Sequence, residues 1–160
     1  MRKGATVFAL LLAVVFHAGL LRSQQLIVQS DSGKQPVLTR AEIEALPHVK
    51  VPGSGSDAAT FEGVALRAVL EKGGVAFGQS MKGNRMASCL LVEAADGYRV
   101  VIALPELDPA FTDKQIVLAF LKDGKPLDDK EGPYRIVIPD EKRMARWVRQ
   151  VTRLKIIQVQ

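Results

Sequence analysis

The chain has 160 residues, with 22 lysines and arginines against 17 aspartates and glutamates, and a formal net charge of +5 at pH 7. A single cysteine excludes an intrachain disulfide, and two histidines leave too few soft ligands for a typical zinc site. The basic residues do not alternate with stacking aromatics, so the composition argues against a nucleic-acid partner.

The first 23 residues have the form of an export signal. Arg2 and Lys3 precede an uncharged stretch over residues 4–21, which is followed by Arg22-Ser23. The cleavage pattern is poor, because bulky Leu21 lies two residues before Ser23, and the stretch reaches the lower length limit for a membrane-spanning helix. An uncleaved anchor over residues 4–21 therefore stays an alternative. In either case we expect residues 24–160 to be an exported, periplasmic domain.

The net charge of this predicted domain is small. Removing Arg2, Lys3 and Arg22 from the 22 basic residues leaves 19 against 17 acidic residues, a balance of +2. The domain is long enough to bury a hydrophobic core of its own.

The first third of the domain predicts short strands around one helix. Gln25–Gln29 is a β-branched, apolar run that predicts a strand. The segment 39–46 opens with the capping-box pattern T-R-A-E and carries Ile43 and Leu46 inward, which predicts a helix. Residues 49–51 predict another strand, and the glycines and serines of residues 52–57 predict a loop.

The middle of the domain predicts a helix followed by a hairpin. Within residues 65–72, three apolar side chains (Leu66, Val69, Leu70) share one helical face, and Gly73-Gly74 ends the helix. Ser88–Ala94 and Tyr98–Leu104 predict two strands joined by an Asp-Gly turn. We expect Tyr98 to pack at the start of its strand.

The last third predicts three more strands. The remaining elements are, in order, a helical turn over residues 105–107 and strands over residues 116–121, 134–138 and 151–159. Between the last two strands, we expect Asp140 to cap a helical turn over Glu141–Trp147. Strands outnumber helices and connections are short, so the sequence predicts an α+β fold with a mixed, mostly antiparallel sheet and two or three helices.

Three groups of residues, in this order and spacing, resemble the molybdopterin-binding domain of the sulfite oxidase family, most closely its small, exported, stand-alone members. The groups are residues 61–70 (FEGVALRAVL); Asp96-Gly97-Tyr98 with Ala103-Leu104-Pro105; and residues 123–127 with 132–135, Lys142, Arg146-Trp147-Val148 and the strand beyond it. The resemblance covers about residues 37–157. It implies the fold of that domain and a molybdopterin cofactor that performs oxo transfer. In active members a cysteine thiolate binds the molybdenum, because a soft ligand suits that metal.

The expected metal-binding cysteine is not found. In the family it belongs to the strand and loop just before the G-V-x-L helix, but here residues 49–57 contain no cysteine. Cys89 lies beyond the helix, in the strand before the hairpin, and we interpret it as a small buried hydrophobe. The sequence therefore predicts no catalytic and no metal-ligating residue.

A basic run near the C-terminus supplies the ligand candidates. It comprises Lys142, Arg143, Arg146, Arg149, Arg153 and Lys155. Arg135, Arg146 and Trp147 are the candidate ligand-binding residues, because guanidinium groups beside an aromatic wall suit phosphate or carboxylate. The alternative is a solvated basic face with Trp147 turned into the core.

We interpret the chain as an exported, single-domain protein that acts as a non-catalytic or ligand-binding module. Its expected partner is a small anionic ligand or a redox protein of the same compartment. Two alternatives stay open: an active molybdopterin-dependent oxidoreductase, and a membrane-associated structural protein that uses its basic face or its N-terminal segment.

Overall fold

The computed structural model describes residues 24–159. The predicted export or anchor segment, residues 1–23, lies outside the described residues. No helix in the described part of the chain has the length and apolar character needed to span a membrane.

Residues 24–159 contain ten strands, two helices and five 3-10 turns, joined by loops. In chain order the strands are β1 (Leu26–Gln29), β2 (Val37–Leu38), β3 (His48–Pro52), β4 (Thr60–Ala65), β5 (Ser88–Ala94), β6 (Arg99–Ala103), β7 (Val117–Lys122), β8 (Lys125–Pro126), β9 (Arg135–Val137) and β10 (Val151–Gln158). The helices are α1 (Arg40–Glu44) and α2 (Leu66–Lys72). The 3-10 turns are Gly55–Asp57, Gly78–Ser80, Gly83–Ala87, Leu104–Leu107 and Met144–Arg146.

The strands form two sheets. The first sheet has the order β2-β1-β10-β5-β6, and the second has the order β3-β4-β7-β8, with β9 also paired to β7. Only β1 and β10 pair in parallel within the described residues. With two helices and a mostly antiparallel set of strands, the predicted α+β class is confirmed.

The predicted hairpin and both predicted helices are confirmed. β5 and β6 pair antiparallel, with Leu91 opposite Val101. At α1 the backbone N–H of Glu42 donates to Thr39 Oγ1 at 3.3 Å, and the backbone N–H of Thr39 donates to Glu42 Oε2 at 2.9 Å. These reciprocal bonds satisfy donors that the helix start leaves open.

The helical turn predicted after Asp140 is wrong. Asp140 has φ +44°, whereas an N-cap residue is extended, and only Met144–Arg146 forms a 3-10 turn. Tertiary contacts hold this segment as a loop: the indole N–H of Trp147 donates to the carbonyl of Ile138 at 3.0 Å, and Arg146 pairs with Glu141.

One hydrophobic core lies between the two sheets and under α2. Alternation along β5 buries Leu90 and Val92 and turns Cys89, Leu91 and Glu93 to the outer face of the first sheet. The face of α2 that the sequence predicted is fully buried, through Leu66, Val69 and Leu70.

Gly63, the glycine of the G-V-x-L segment, is required by a close approach of two strands. It lies on β4 at a register shift against β7. A Cβ placed there would stand 2.6 Å from Ala119 Cα and would also collide with the carbonyl of Leu118. The glycine therefore allows the strand that leads into α2 to pair with the centre of the second sheet.

Replacing Gly63 tests this packing. Gly63→Ala should lower the free energy of unfolding by about 3 kcal/mol, because β7 backbone atoms cannot move aside as a flexible side chain would. Urea denaturation at neutral pH measures the change.

Gly33→Ala is the matched control. Gly33 has φ +80°, and no atom lies within 4 Å of the position that an alanine Cβ would occupy. This variant should lose only about 1 kcal/mol, through backbone conformation. Equal losses in the two variants would contradict the steric account.

Candidate functional site

A cleft of about 360 Å³ brings together two of the three predicted ligand residues. It lies where the loop after β3, strand β9 and the segment after Met144–Arg146 meet. Its lining comprises Ser56, Asp57, Glu131, Arg135, Met144, Trp147 and Arg149. We call it the Trp147 cleft.

Arg135 is held between two aromatic rings. Its side chain is buried, and the guanidinium carbon lies 4.9 Å from the ring centroid of Phe61 and 5.4 Å from that of Trp147. Arg135 Nη1 donates to Asp57 Oδ2 at 2.6 Å and to Glu131 Oε1 at 2.8 Å. These contacts fix the guanidinium in place and compensate its buried charge.

Lys122 completes a four-residue ion network with Arg135, Asp57 and Glu131. Lys122 Nζ lies 2.7 Å from Asp57 Oδ1 and 3.4 Å from Glu131 Oε1. Two cations therefore face two carboxylates, and the network is neutral as a whole. Its members come from β7, β9 and two separate loops.

The network sets the protonation of Asp57. Burial acts to raise the pKa of Asp57, but the hydrogen bonds and charges of Lys122 and Arg135 outweigh it and hold that pKa below its ordinary value of 3.8. The hydrogen bond to Asp57 in turn raises the pKa of Lys122. Both groups are charged at neutral pH.

Arg146, the third predicted ligand residue, does not join the Trp147 cleft. Its Nε donates to Glu141 Oε1 at 2.8 Å, its Nη2 also contacts that carboxylate, and its Nη1 lies 3.4 Å from Glu106 Oε1. The guanidinium is thus committed to two carboxylates.

Two further members of the basic run, Arg149 and Arg153, lie in different surroundings. Arg153 lies on the outer face of the first sheet, 3.5 Å from Glu93. Arg149 is exposed, and no ion pair or hydrogen bond holds its guanidinium within residues 24–159. The sequence marks Arg149 only as one member of the basic run, because residues distant in sequence decide which arginines are paired in the fold.

A second cleft, of about 350 Å³, adjoins the first and shares Met144, Trp147 and Arg149 with it. Tyr98 lines this second cleft, where its hydroxyl donates to the carbonyl of Ala145 at 2.7 Å. The expectation that Tyr98 packs at the strand start is wrong, since the residue is 48% exposed. Its hydroxyl bonds the loop that carries Trp147.

A larger cleft, of about 460 Å³, lies near the start of α2, and neither of the two cations in its lining is free. Arg67 bonds Asp108 at 3.0 Å and Glu71 at 2.9 Å, and Lys114 pairs with Glu106 at 3.1 Å. Both cations of its lining are therefore occupied, so we place the candidate site at the Trp147 cleft.

Cys89 lies away from all of these clefts. It is half-buried on the outer face of the first sheet, between Ala103 of β6 and Ile157 of β10. Residues 24–159 contain no group of three or more histidine, cysteine, aspartate or glutamate side chains that could hold a metal ion.

Comparison with known proteins shows the family. The family model of the oxidoreductase molybdopterin binding domain matches residues 25–160, and the chain belongs to this family. Comparison with curated proteins gave no significant match.

A solved structure shares the fold. The sulfane dehydrogenase SoxCD from Paracoccus pantotrophus superposes with a TM-score of 0.65 at 19% sequence identity, over 85% of this chain and 39% of that chain. At this identity the likeness concerns the fold alone, and this chain corresponds to well under half of the SoxCD chain.

The residues at the Trp147 cleft do not fit a molybdenum centre held by a thiolate. The loop in which the resemblance places the cysteine borders the cleft through Ser56 and Asp57. Asp57 supplies hard oxygen atoms instead of sulfur, and both oxygens are already bonded to cations. The described part of the chain contains one thiol, Cys89, and it lies on another face of the domain.

Removing one carboxylate tests the network. Asp57→Asn should lower the free energy of unfolding at pH 7 by about 2 kcal/mol. The neutral amide lacks the negative charge that strengthens the hydrogen bonds from Lys122 and Arg135. The folded-state pKa of Asp57 lies below the unfolded one, so this stabilisation is present above the unfolded pKa and is lost as the pH falls through the folded pKa. Urea denaturation at pH 7 and in acid should show the difference between wild type and variant shrinking below roughly pH 4.

Glu71→Gln is the control, because Glu71 pairs with Arg67 on the exposed surface of α2. This variant should lose about 0.3 to 0.5 kcal/mol at pH 7. A difference between wild type and Asp57→Asn that grows in acid would contradict the network account.

Proposed function

We propose that the chain is an exported, non-catalytic member of its family that binds a small anion at the Trp147 cleft. The main support for the proposal is that one cation at the cleft has no carboxylate partner. Asp57, Glu131, Lys122 and Arg135 neutralise one another, which leaves Arg149 at the rim as a free guanidinium.

The chemistry of the cleft favours an anion. A free guanidinium binds phosphate, sulfate or carboxylate through paired N–H donors. Arg135 also lines this cleft, and its Nε is buried without a hydrogen-bond partner. The cleft therefore has a second unsatisfied donor besides the guanidinium of Arg149. Trp147 is turned into the core, as the alternative expected, and at 4% exposure it gives the cleft only a small part of its ring.

The non-catalytic part of the proposal is supported by the ligand chemistry. Oxo transfer at molybdenum in this family is expected to need a thiolate, and the loop that would supply it presents Asp57 in an ion pair. Membership of the family favours the alternative, an active molybdopterin-dependent oxidoreductase.

Metal analysis separates the two functions. The full chain, purified from cells that make the molybdenum cofactor, should contain far less than one molybdenum per chain by inductively coupled plasma mass spectrometry. A stoichiometry near one, with a matching pterin content, would overturn the non-catalytic proposal. The anionic ligand of the cleft would then be the cofactor itself.

Anion binding has its own readout, because Trp147 is the only tryptophan of the sequence. Titration with inorganic phosphate or sulfate should change its fluorescence saturably, and Arg149→Ala should weaken binding about tenfold through loss of a charge-assisted hydrogen bond. Sodium chloride at matched ionic strength corrects for screening.

Arg143→Ala is the matched control for this titration. Arg143 is exposed on the same loop and lines neither cleft. It should bind the anion as wild type does. An unchanged fluorescence in wild type, or equal weakening in both variants, would contradict a specific anion site.

A further inference from the structure

His48 joins helix α1 to the second sheet. It is the first residue of β3, and its ring lies between the last residue of α1 and strand β4. Nδ1 lies 3.0 Å from Glu62 Oε1, and Nε2 lies 2.9 Å from the carbonyl oxygen of Glu44. Both ring nitrogens are therefore within hydrogen-bond distance of an oxygen atom, each from a different element.

Both partner atoms of the His48 ring can only accept a hydrogen bond. A backbone carbonyl has no proton to donate, and an ionised carboxylate has none either. A neutral imidazole donates from one nitrogen and presents a lone pair at the other, so one of its two contacts would bring two lone pairs together. The imidazolium donates from both nitrogens. The geometry therefore selects the charged form of His48.

The charges around the ring favour the same form. On β4 the Glu62 carboxylate also lies 3.4 Å from Nζ of Lys50, and on α1 the Glu44 carboxylate accepts from Nε of Arg40 at 2.6 Å. The C-terminal end of α1 attracts a cation, and its last turn has no basic residue of its own. The hydrogen bond to Glu62, followed by the one to the carbonyl of Glu44, raises the pKa of His48 above its ordinary value of 6.5.

α1 depends on polar contacts because it buries little apolar surface. Of its five residues, only Ile43 is buried. At its start the guanidinium carbon of Arg40 lies 5.9 Å from the ring centroid of Phe120 on β7, and the His48 ring meets the same phenyl ring edge-to-face at 5.2 Å. Phe120 is buried and brings no charge to His48. The hydrogen bond from His48 to Glu44 therefore ties the C-terminal end of α1 to the sheet.

We infer that His48 is a pH-sensitive switch: as an imidazolium it fastens the end of α1 to β4, and loss of its proton releases that end. The neutral ring must give up one of its two hydrogen bonds. The side chain is 41% exposed, so the ring exchanges protons with solvent while the domain stays folded. A short helix with one buried side chain then opens locally.

The direction of the pH effect follows from the raised pKa of His48. The folded-state pKa lies above the unfolded one. The stabilisation is therefore fully present below roughly pH 6.5 and is lost as the pH rises through the folded-state pKa. Alkaline conditions weaken the attachment of α1, and acid conditions above the titration of Glu62 preserve it.

Nuclear magnetic resonance of the histidine rings tests the charged form in the full chain. The ring nitrogens of His48 should both be protonated at roughly pH 6, and its pKa should lie above 6.5. Glu62→Gln keeps an oxygen acceptor but removes the charge, so it should lower the pKa of His48. His48→Gln assigns the signal, since the sequence also contains His17.

Lys50→Gln is the matched control. It removes the other partner of the Glu62 carboxylate and leaves the contact with His48 in place. This variant should not lower the pKa of His48. A wild-type pKa at or below 6.5, or equal lowering in Glu62→Gln and Lys50→Gln, would overturn the inference.

Amide hydrogen exchange tests the release of α1 itself. The N–H groups of Ala45 and Leu46 donate to carbonyls within α1. Between roughly pH 6 and roughly pH 8.5, after correction for intrinsic exchange, their protection should fall about threefold, the size expected for a partly exposed ion pair. The amides of β5 should keep their protection, and His48→Gln should show no such fall. Constant protection at Ala45 and Leu46 in wild type, or the same fall in His48→Gln, would contradict the switch.

Discussion

The buried guanidinium of Arg135 is the constraint on which the site depends. A charge at this depth is tolerated only when carboxylates and aromatic faces compensate the loss of water. Asp57 and Glu131 supply the charge, and Phe61 and Trp147 supply the faces. Because these partners come from separate parts of the chain, one side chain holds the loop after β3, the edge of the second sheet and the Trp147 segment together.

This network changes how family membership bears on function. The loop that borders the cleft is the one in which the resemblance places a metal-binding thiolate, and it contributes a carboxylate bound to two cations. A neutral ion network is a structural feature, whereas a molybdenum centre needs an open soft ligand. Under the proposed function, the chain has the fold of its family and its cleft binds an anion, with the free charge of Arg149 as the guide to that ligand.

Local sequence signals predicted local structure well. The capping box at Thr39, the Asp-Gly hairpin and the buried face of α2 each depend on residues within a few positions of one another. The site depends on long-range partners and was predicted only in part. Arg135 and Trp147 share the cleft, but nothing near Arg146 in sequence showed that Glu106 would engage it. The turn expected after Asp140 failed for the same reason, because the contacts of Trp147 outweigh local helix signals.

The protonation of Asp57 tests the central claim most directly, since it depends on Lys122 and Arg135 both lying within hydrogen-bond distance of that carboxylate. Carbon-detected NMR of the Asp57 carboxyl group during an acid titration would measure it. The account predicts a pKa below the ordinary 3.8. A pKa at or above that value would mean that burial outweighs the cations, that the network is not formed, and that the loop after β3 is free to hold another ligand.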